Sequence, residues 1–212
     1  MGVEAATVFV IDDEAEVREA VSRLLRSAGL EVVAHDSAQE FLANAPYRDT
    51  GCILLDVNMP GMTGPELHDR LRDSGISLPV IYLTGQCSVS VGVRAMKKGA
   101  CDFLEKPVDA ETLLPAIEQA LSDYRRFQLG QQKLGDIERR LATLSRRERE
   151  VLGYVIAGRL NKQIAGEMEI AEKTVKVHRG RVMAKMRCRS VAELVHLCDE
   201  LGHARQPGRS GA

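Results

Sequence analysis

Several short hydrophobic runs in the first half of this 212-residue sequence end in side chains that could do chemistry. Asp12 and Asp13 follow the run TVFVI, and Asp56 follows CILL just before a Pro-Gly-rich turn. Thr84 ends a third run, and Lys106 follows CDFLE. Packed carboxylates repel each other unless a cation lies beside them, and an open site of oxygen ligands suits Mg²⁺. A carboxylate beside Mg²⁺ and an ammonium is a reasonable acceptor for a phosphoryl group.

The runs that carry these side chains alternate with helical patterns. Such alternation predicts an α/β fold with a doubly wound, five-stranded parallel sheet. Ligands of these sheets collect beyond the carboxyl ends of the strands, where all five side chains would lie. The predicted strands are residues 7–11, 31–34, 52–55, 80–83 and 101–104. The first predicted helix covers the stretch EAEVREAVSRLLRSAGL and ends at Gly29, and the capping box SAQE at 37–40 opens the second, with Ser37 as its cap and Glu40 reaching back. The others are 64–74, 88–98, and one that Asp109 caps and that continues past residue 121.

Each of these side chains has an ordinary structural alternative when it is taken alone. Asp12 and Asp13 could cap the first helix, and Asp56 could begin a turn. Thr84 and Lys106 could be solvated surface residues. Their joint position at the ends of the predicted strands is what favours a reactive site over these alternatives.

The motifs VIDDE, LLDVNMPGMTG, LTG and AMKKGACDFLEKP resemble, in this order, the receiver domain of bacterial two-component response regulators. The resemblance covers residues 6 to 121 and implies a flavodoxin-like fold. It implies that Asp56 is the phosphoacceptor, that Asp12 and Asp13 hold Mg²⁺ together with Asp56, and that Asn58 lends its backbone carbonyl to the metal. Lys106 would pair with the phosphoryl group.

The same resemblance implies a switch. Thr84 would hydrogen-bond a phosphoryl oxygen, and Thr84 and Phe103 would move on phosphorylation. It also implies a cis peptide bond before Pro107.

A helical segment joins this half to the next. Apolar residues recur in it with 3–4–3 spacing, which gives the helix an apolar seam, while Gly130 and Gly135 interrupt any long coiled coil. The seam could pack against a partner chain or the protein's own domains, or the segment could be a solvated linker. The seam consists of Leu134, Ile137, Leu141 and Leu144.

Four short helices follow. The motif SRRE at 145–148 is a capping box that opens the first helix, and Gly158 ends it. The stretches NKQIAGEMEI and AEKTVKVHRGRVMAKM meet as a helix-turn-helix, whose second helix enters the DNA major groove. The stretch SVAELVHLCDEL gives the fourth helix.

The motifs LSRREREVL, AGRLNKQIA and KTVKVHRGRVMAKM resemble the LuxR-type helix-turn-helix of the NarL/FixJ subfamily, over residues 143 to 200. Two positions depart from that pattern. Ala171 stands where the family often has a capping Ser, and Gly180 lies inside the recognition helix; each costs about 1 kcal/mol of helix stability. The resemblance implies base contacts from Lys173, Lys176 and Val177. It implies phosphate contacts from Asn161, Lys162, Thr174, Arg179 and Lys185.

Charge also divides the chain. Residues 1–121 contain 19 acidic and 10 basic side chains, whereas residues 122–212 contain 11 acidic and 19 basic ones. The basic half suits nucleic acid. The apolar runs are too short to cross a membrane, and an odd number of cysteines, five, without a CxxC pair suits a reduced cytoplasm.

The sequence therefore predicts a cytoplasmic response regulator that is not an enzyme, although its receiver can catalyse its own phosphotransfer and dephosphorylation. Its expected partners are a histidine kinase, promoter DNA, RNA polymerase and a second copy of itself, with no membrane partner. We expect a receiver over 1–121, a helical linker over 122–142, a DNA-binding domain over 143–203 and a disordered tail over 204–212.

Two alternatives come from other classes of function. An Asp-dependent, Mg²⁺-dependent hydrolase would need a second catalytic acid and a substrate cap. Residue 58 is Asn where such enzymes usually have Asp, and no cap insertion is present. A DNA-binding protein whose receiver only dimerises, without phosphorylation, is the other alternative.

Overall fold

Five parallel strands form one sheet in the order β2-β1-β3-β4-β5. The computed structural model of the chain describes residues 6–44, 51–85 and 99–204. Each strand lies within one residue of its predicted bounds, so the α/β fold class is confirmed. The strands are β1 Thr7–Ile11, β2 Glu31–His35, β3 Gly51–Asp56, β4 Val80–Thr84 and β5 Asp102–Glu105.

Helices cover both faces of this sheet. The α1 helix and the first turns of α4 pack on one face through residues such as Leu25 and Ile117, and α2 and α3 pack on the other through Phe41 and Leu67. The helix predicted over 88–98 lies outside the described residues. The bounds are α1 Ala15–Ser27, α2 Ala38–Ala43, α3 Gly64–Asp73 and α4 Ala110–Ala142.

The central strand β3 is buried along its whole length. Its side chains alternate between the two faces of the sheet, so that Ile53 and Leu55 join one core while Cys52 and Leu54 join the other. A strand buried on both faces has no exposed side on which a polar residue is easily placed. A carboxylate at its last position, Asp56, therefore needs polar partners at the edge of the sheet.

Two helix starts show how the sequence sets the helix bounds. Ser37 accepts a hydrogen bond from Glu40 N, as predicted, but Glu40 Oε2 accepts from Asp36 N at 2.9 Å rather than from Ser37 N. The amide of Asp36 is a donor at the turn that leaves β2, and the carboxylate satisfies it instead. At α4, Asp109 Oδ1 accepts from Thr112 N at 2.8 Å, which confirms the predicted cap.

The chain divides into two compact units, Met1–Phe127 and Gln128–Ala212. The second contains four further helices around one apolar core, which confirms the predicted helical domain. Among the described residues, no helix is both long and apolar enough to cross a membrane. The predicted tail lies almost entirely outside the described residues. The four helices are α5 Arg146–Ile156, α6 Asn161–Glu167, α7 Glu172–Met186 and α8 Val191–Ala204.

The apolar seam of α4 packs into the core of the second unit. Ile137 is 1% exposed and Leu144, two residues after the end of α4, is 4% exposed, and Leu134 and Leu141 pack against the same core. Of the alternatives left open by the sequence, the structure selects packing within the chain. Although Gly130 and Gly135 lower helix propensity, α4 runs through both.

Candidate functional site

Two buried carboxylates lie at the carboxyl ends of neighbouring strands. Asp12 follows β1 and Asp56 ends β3, at the point where the strand order reverses direction. Their residues are 0% and 4% exposed. Asp56 Oδ2 accepts a hydrogen bond from Asn58 N at 2.8 Å, and Asp12 Oδ1 accepts from Glu14 N at 3.0 Å. Each carboxylate thus keeps one oxygen free of backbone hydrogen bonds.

The ammonium of Lys106 lies between those two oxygens. Its Nζ is 2.7 Å from Asp12 Oδ2, 2.8 Å from Asp56 Oδ1 and 3.1 Å from Glu14 Oε1. Burial lowers the pKa of Lys106, but its hydrogen bonds to the three carboxylates outweigh burial and raise the pKa above its usual value. Lys106 is therefore a fixed positive charge beside Asp56, in the place where negative charge would build up during phosphoryl transfer.

The same edge has spare capacity for a cation. Burial raises the pKa of Asp12 despite the nearby ammonium, so its carboxylate is not fully neutralised by its surroundings. Asp12 Oδ2 is buried and lies against the Lys106 ammonium at 2.7 Å. Asp13 is exposed, and the residues that the structure describes contain no group of three His, Cys, Asp or Glu arranged around a metal position. The carboxylate oxygens fit Mg²⁺ chemically, and Lys106 at present bridges two of them.

The two predicted switch residues stand on neighbouring strands. Thr84 is 1% exposed at the end of β4, and its carbonyl accepts a hydrogen bond from Lys106 N at 2.7 Å. Phe103 lies opposite Tyr82 in the β4–β5 register and is partly buried against the core. The peptide bond between Lys106 and Pro107 is cis, as predicted.

Two residues at this edge were not found from the sequence. Glu14 contributes the third carboxylate to Lys106, and Arg18 Nη1 donates to the carbonyl oxygen of Asp12 at 2.7 Å. The only sequence signal for Glu14 was its position directly after the aspartates in VIDDE. Arg18 lies within α1 and has no such signal.

Gly64 explains why the loop after β3 can turn so sharply. Its N–H donates to Val57 O at 3.1 Å, and a Cβ at this position would collide with the carbonyl oxygen of Asp56. Only glycine allows the start of α3 to pass so close to the reactive strand end.

In the second unit, most predicted DNA-contact residues are exposed. The α7 helix buries Val175 and Val182 and turns its opposite side to solvent, where Val177 is 46% exposed. Because apolar side chains on an open helix face suit contact with thymine methyl groups, this exposure is consistent with base reading. Apart from Lys185, the exposed predicted contacts are Lys162, Lys173, Thr174, Lys176 and Val177.

The other three predicted DNA contacts have partners within the protein. Arg179 Nη1 donates to Asn161 Oδ1 at 2.8 Å, which joins α7 to the start of α6. Lys185 Nζ donates to Thr143 O at 2.9 Å and to Glu148 Oε2 at 2.7 Å. The ammonium of Lys185 is thus already used inside the unit, and its contact with DNA phosphate stays a prediction.

Glu148 gives the second unit a pH-dependent stability. The hydrogen bond from Lys185, followed by that from Ser145 N, lowers the pKa of Glu148 to about 2 from its usual 4.5. A carboxylate whose pKa is lower in the folded state than in the unfolded state stabilises the fold. This stabilisation is complete at pH values above the unfolded pKa and is lost as the pH falls through the folded pKa. We expect Glu148→Gln to unfold more easily than wild type at pH 7.

The difference should shrink between about pH 4.5 and pH 2. Chemical denaturation of both chains at several pH values, followed by circular dichroism, measures it. Glu172→Gln, which changes an exposed carboxylate at the start of α7, is the control. A difference that is independent of pH would show that the charge of Glu148 is not what stabilises the unit.

Comparison with known families matches both units separately. The family described as response regulator receiver domain matches residues 8–118. The family described as bacterial regulatory proteins, luxR family, matches residues 142–198.

Relatives resemble the chain over nearly its whole length. Nodulation protein W of Bradyrhizobium diazoefficiens is 42% identical over 93% of this chain and 87% of its own. Transcriptional regulatory protein FixJ of Rhizobium meliloti is 43% identical over 90% of this chain and 94% of its own. Among solved structures, the response regulator StyR has a TM-score of 0.84 at 44% identity, over 92% of this chain and 99% of its own.

Proposed function

Because the chain belongs to the bacterial response regulators that join a receiver domain to a LuxR-type DNA-binding domain, we propose that phosphorylation of Asp56 controls its binding to promoter DNA. Members of this family are transcriptional regulators rather than enzymes, with a kinase as phosphodonor and DNA as target. The observation that carries the proposal is the Lys106 ammonium, 2.8 Å from Asp56 Oδ1 at the buried end of β3.

The proposed chemistry is the transfer of a phosphoryl group from a phosphohistidine of the kinase. An oxygen of Asp56 forms the new P–O bond as the P–N bond to histidine breaks, and the histidine nitrogen keeps the electron pair. Lys106 neutralises charge on the phosphoryl oxygens, and Thr84 donates a hydrogen bond to one of them. Asp12, Asp13, Asp56 and the carbonyl of Asn58 would hold Mg²⁺, which when bound neutralises phosphoryl charge.

The proposed switch starts from the charge of the aspartyl phosphate, about −1.5 to −2 by analogy with other phosphorylated side chains. Thr84 and Lys106 would bind the phosphoryl group, and their backbones are linked by the hydrogen bond from Lys106 N to Thr84 O. Phe103 would move with them, because it lies on β5, two positions before Glu105, which pairs with Thr84. The rearranged surface would then form a homodimer, whose two helix-turn-helix units fit half-sites about one DNA turn apart.

On DNA, the exposed side of α7 would read bases through Lys173, Lys176 and Val177. Phosphate contacts would come from Lys162 and Thr174. They would also come from Asn161, Arg179 and Lys185, which already have partners within the protein. RNA polymerase is the proposed further partner, and the bacterial cytoplasm, where promoter DNA is found, is the proposed location. The proposed division of the chain is a receiver over 1–121, a helical linker over 122–142, a DNA-binding domain over 143–203 and a tail over 204–212.

The test compares DNA binding by full-length chain with and without acetyl phosphate and Mg²⁺. The probe is a duplex enriched from a random-sequence pool by the phosphorylated chain, and a shuffled duplex is the control. We expect phosphorylation to raise affinity for the enriched duplex and to convert monomer into dimer in sedimentation. Equal affinity in both states would support the phosphate-independent DNA binder instead.

A further inference from the structure

Two cations hold the C-terminal end of α7. Arg140, in α4, donates from Nη1 to the carbonyl oxygen of Met186, the last residue of α7, at 3.1 Å. Lys185, on α7 itself, donates to Thr143 O and to Glu148 Oε2. The last carbonyls of a helix have no partner within the helix and carry partial negative charge, so a cation there stabilises the helix end. The end of the helix that faces DNA is thus tied to residues outside the helix-turn-helix.

The guanidinium of Arg140 is fixed by its own surroundings. Its side chain is 22% exposed, and Nη2 pairs with Asp136, one turn earlier in α4. Three residues before Arg140, Ile137 is anchored in the core of the unit. The guanidinium holds its donors in a rigid planar fork, whereas the Lys ammonium is a compact charge on a flexible stem, so Lys does not fix the two acceptors in the same geometry. The position of the α7 end therefore depends on α4.

We propose that Arg140 is a positioning residue that sets the orientation of α7 on DNA. This inference rests on the proposed DNA-binding function. The α7 helix has 15 residues and is about 22 Å long, so a tilt of about 5° at its C-terminal end moves its other end by about 2 Å. Lys173 and Lys176 lie near that other end. Hydrogen bonds to base edges do not survive such a shift, whereas the attraction to phosphates is much less directional.

This role differs measurably from the two simpler ones. If Arg140 contacted a phosphate itself, its removal would weaken binding to every DNA sequence and reduce the dependence of affinity on salt. If it only stabilised the fold, its removal would lower the unfolding temperature and leave the ratio of specific to nonspecific affinity unchanged. A positioning role lowers that ratio and leaves the salt dependence unchanged.

The experiment uses full-length chains that carry Arg140→Lys and Arg140→Met. The matched control is Arg139→Ala, because Arg139 is the neighbouring arginine on α4, its side chain is 75% exposed and it lies 3.5 Å from the same Asp136. Affinities are measured at several salt concentrations for the duplex enriched by the wild type and for a shuffled duplex. Circular dichroism at the temperature of the binding assay verifies that each chain is folded.

We expect both Arg140 variants to lose about 5- to 150-fold in affinity for the enriched duplex, the value of one good base contact. Affinity for the shuffled duplex and the salt dependence should match those of Arg139→Ala. Equal losses on both duplexes, or no loss, overturn the positioning role. If Arg140→Met is unfolded, Arg140→Lys, which keeps the charge and loses the fork, decides alone. A wild type that binds no duplex overturns the proposed function itself.

Discussion

The Asp56→Asn chain takes up no phosphate from labelled acetyl phosphate under conditions in which the wild type forms a base-labile, Mg²⁺-dependent adduct; this is the largest effect that we expect. The amide of Asn lacks the carboxylate oxygen that forms the P–O bond. The measurement is filter-bound label after base treatment, with and without Mg²⁺.

The substitution is well suited to this test because it should leave the fold intact. Asn matches Asp in shape and can still accept the hydrogen bond from Asn58 N. Asp73→Asn, which changes an exposed carboxylate at the end of α3, is the control and should label like wild type. Label retained by Asp56→Asn would place the phosphoacceptor elsewhere. Absence of label in the wild type itself would call for its own kinase as donor.

Much of the first unit could be predicted because strand ends obey a simple rule. In a parallel sheet, the carboxyl ends of all strands meet at one edge, so Asp12, Asp56 and Lys106 could be placed together from their positions after hydrophobic runs. The details of their contacts could not. Asp13 was expected to hold Mg²⁺ together with Asp12, but its side chain is exposed whereas that of Asp12 is buried.

The second unit shows that local sequence patterns do not predict which residues pack against or pair with each other. The 3–4–3 spacing of the α4 seam predicted an apolar face, but spacing alone does not say what covers that face. The basic residues were harder still. The resemblance implied a phosphate contact for Lys185, which lies within α7, whereas its partner Glu148 lies 37 positions earlier in the sequence. No short-range pattern reports such a pair.

Asp56 and Lys106 also show that contacts between residues distant in sequence cannot be predicted from residue types alone. Their types and positions indicated phosphoryl chemistry. The contact of Lys106 with three carboxylates could be seen only in the structure, because it depends on the side chain of Glu14 turning back from the start of α1. The functional group could thus be predicted from residue types, and its electrostatic setting could not.

Burial of the α4 seam leads to the second large effect. Ile137→Ala removes a side chain that is 1% exposed in the core of the second unit. Large-to-small changes of this kind cost about 2–5 kcal/mol, because apolar contact is lost and a cavity remains. We expect the denaturation midpoint of the DNA-binding unit to fall accordingly, as followed by circular dichroism in urea.

Leu129→Ala separates this expectation from a general effect of shortening an apolar side chain on α4. Leu129 belongs to the same helix and the same unit but is 65% exposed, so its truncation should change stability by no more than about 0.5 kcal/mol. If Ile137→Ala behaved like Leu129→Ala, the seam would be a solvated linker after all. If its cost appeared only at concentrations where the chain dimerises, the seam would pack against a partner chain. A concentration-independent loss restricted to Ile137 places the end of α4 inside the DNA-binding unit, where Arg140 can reach α7.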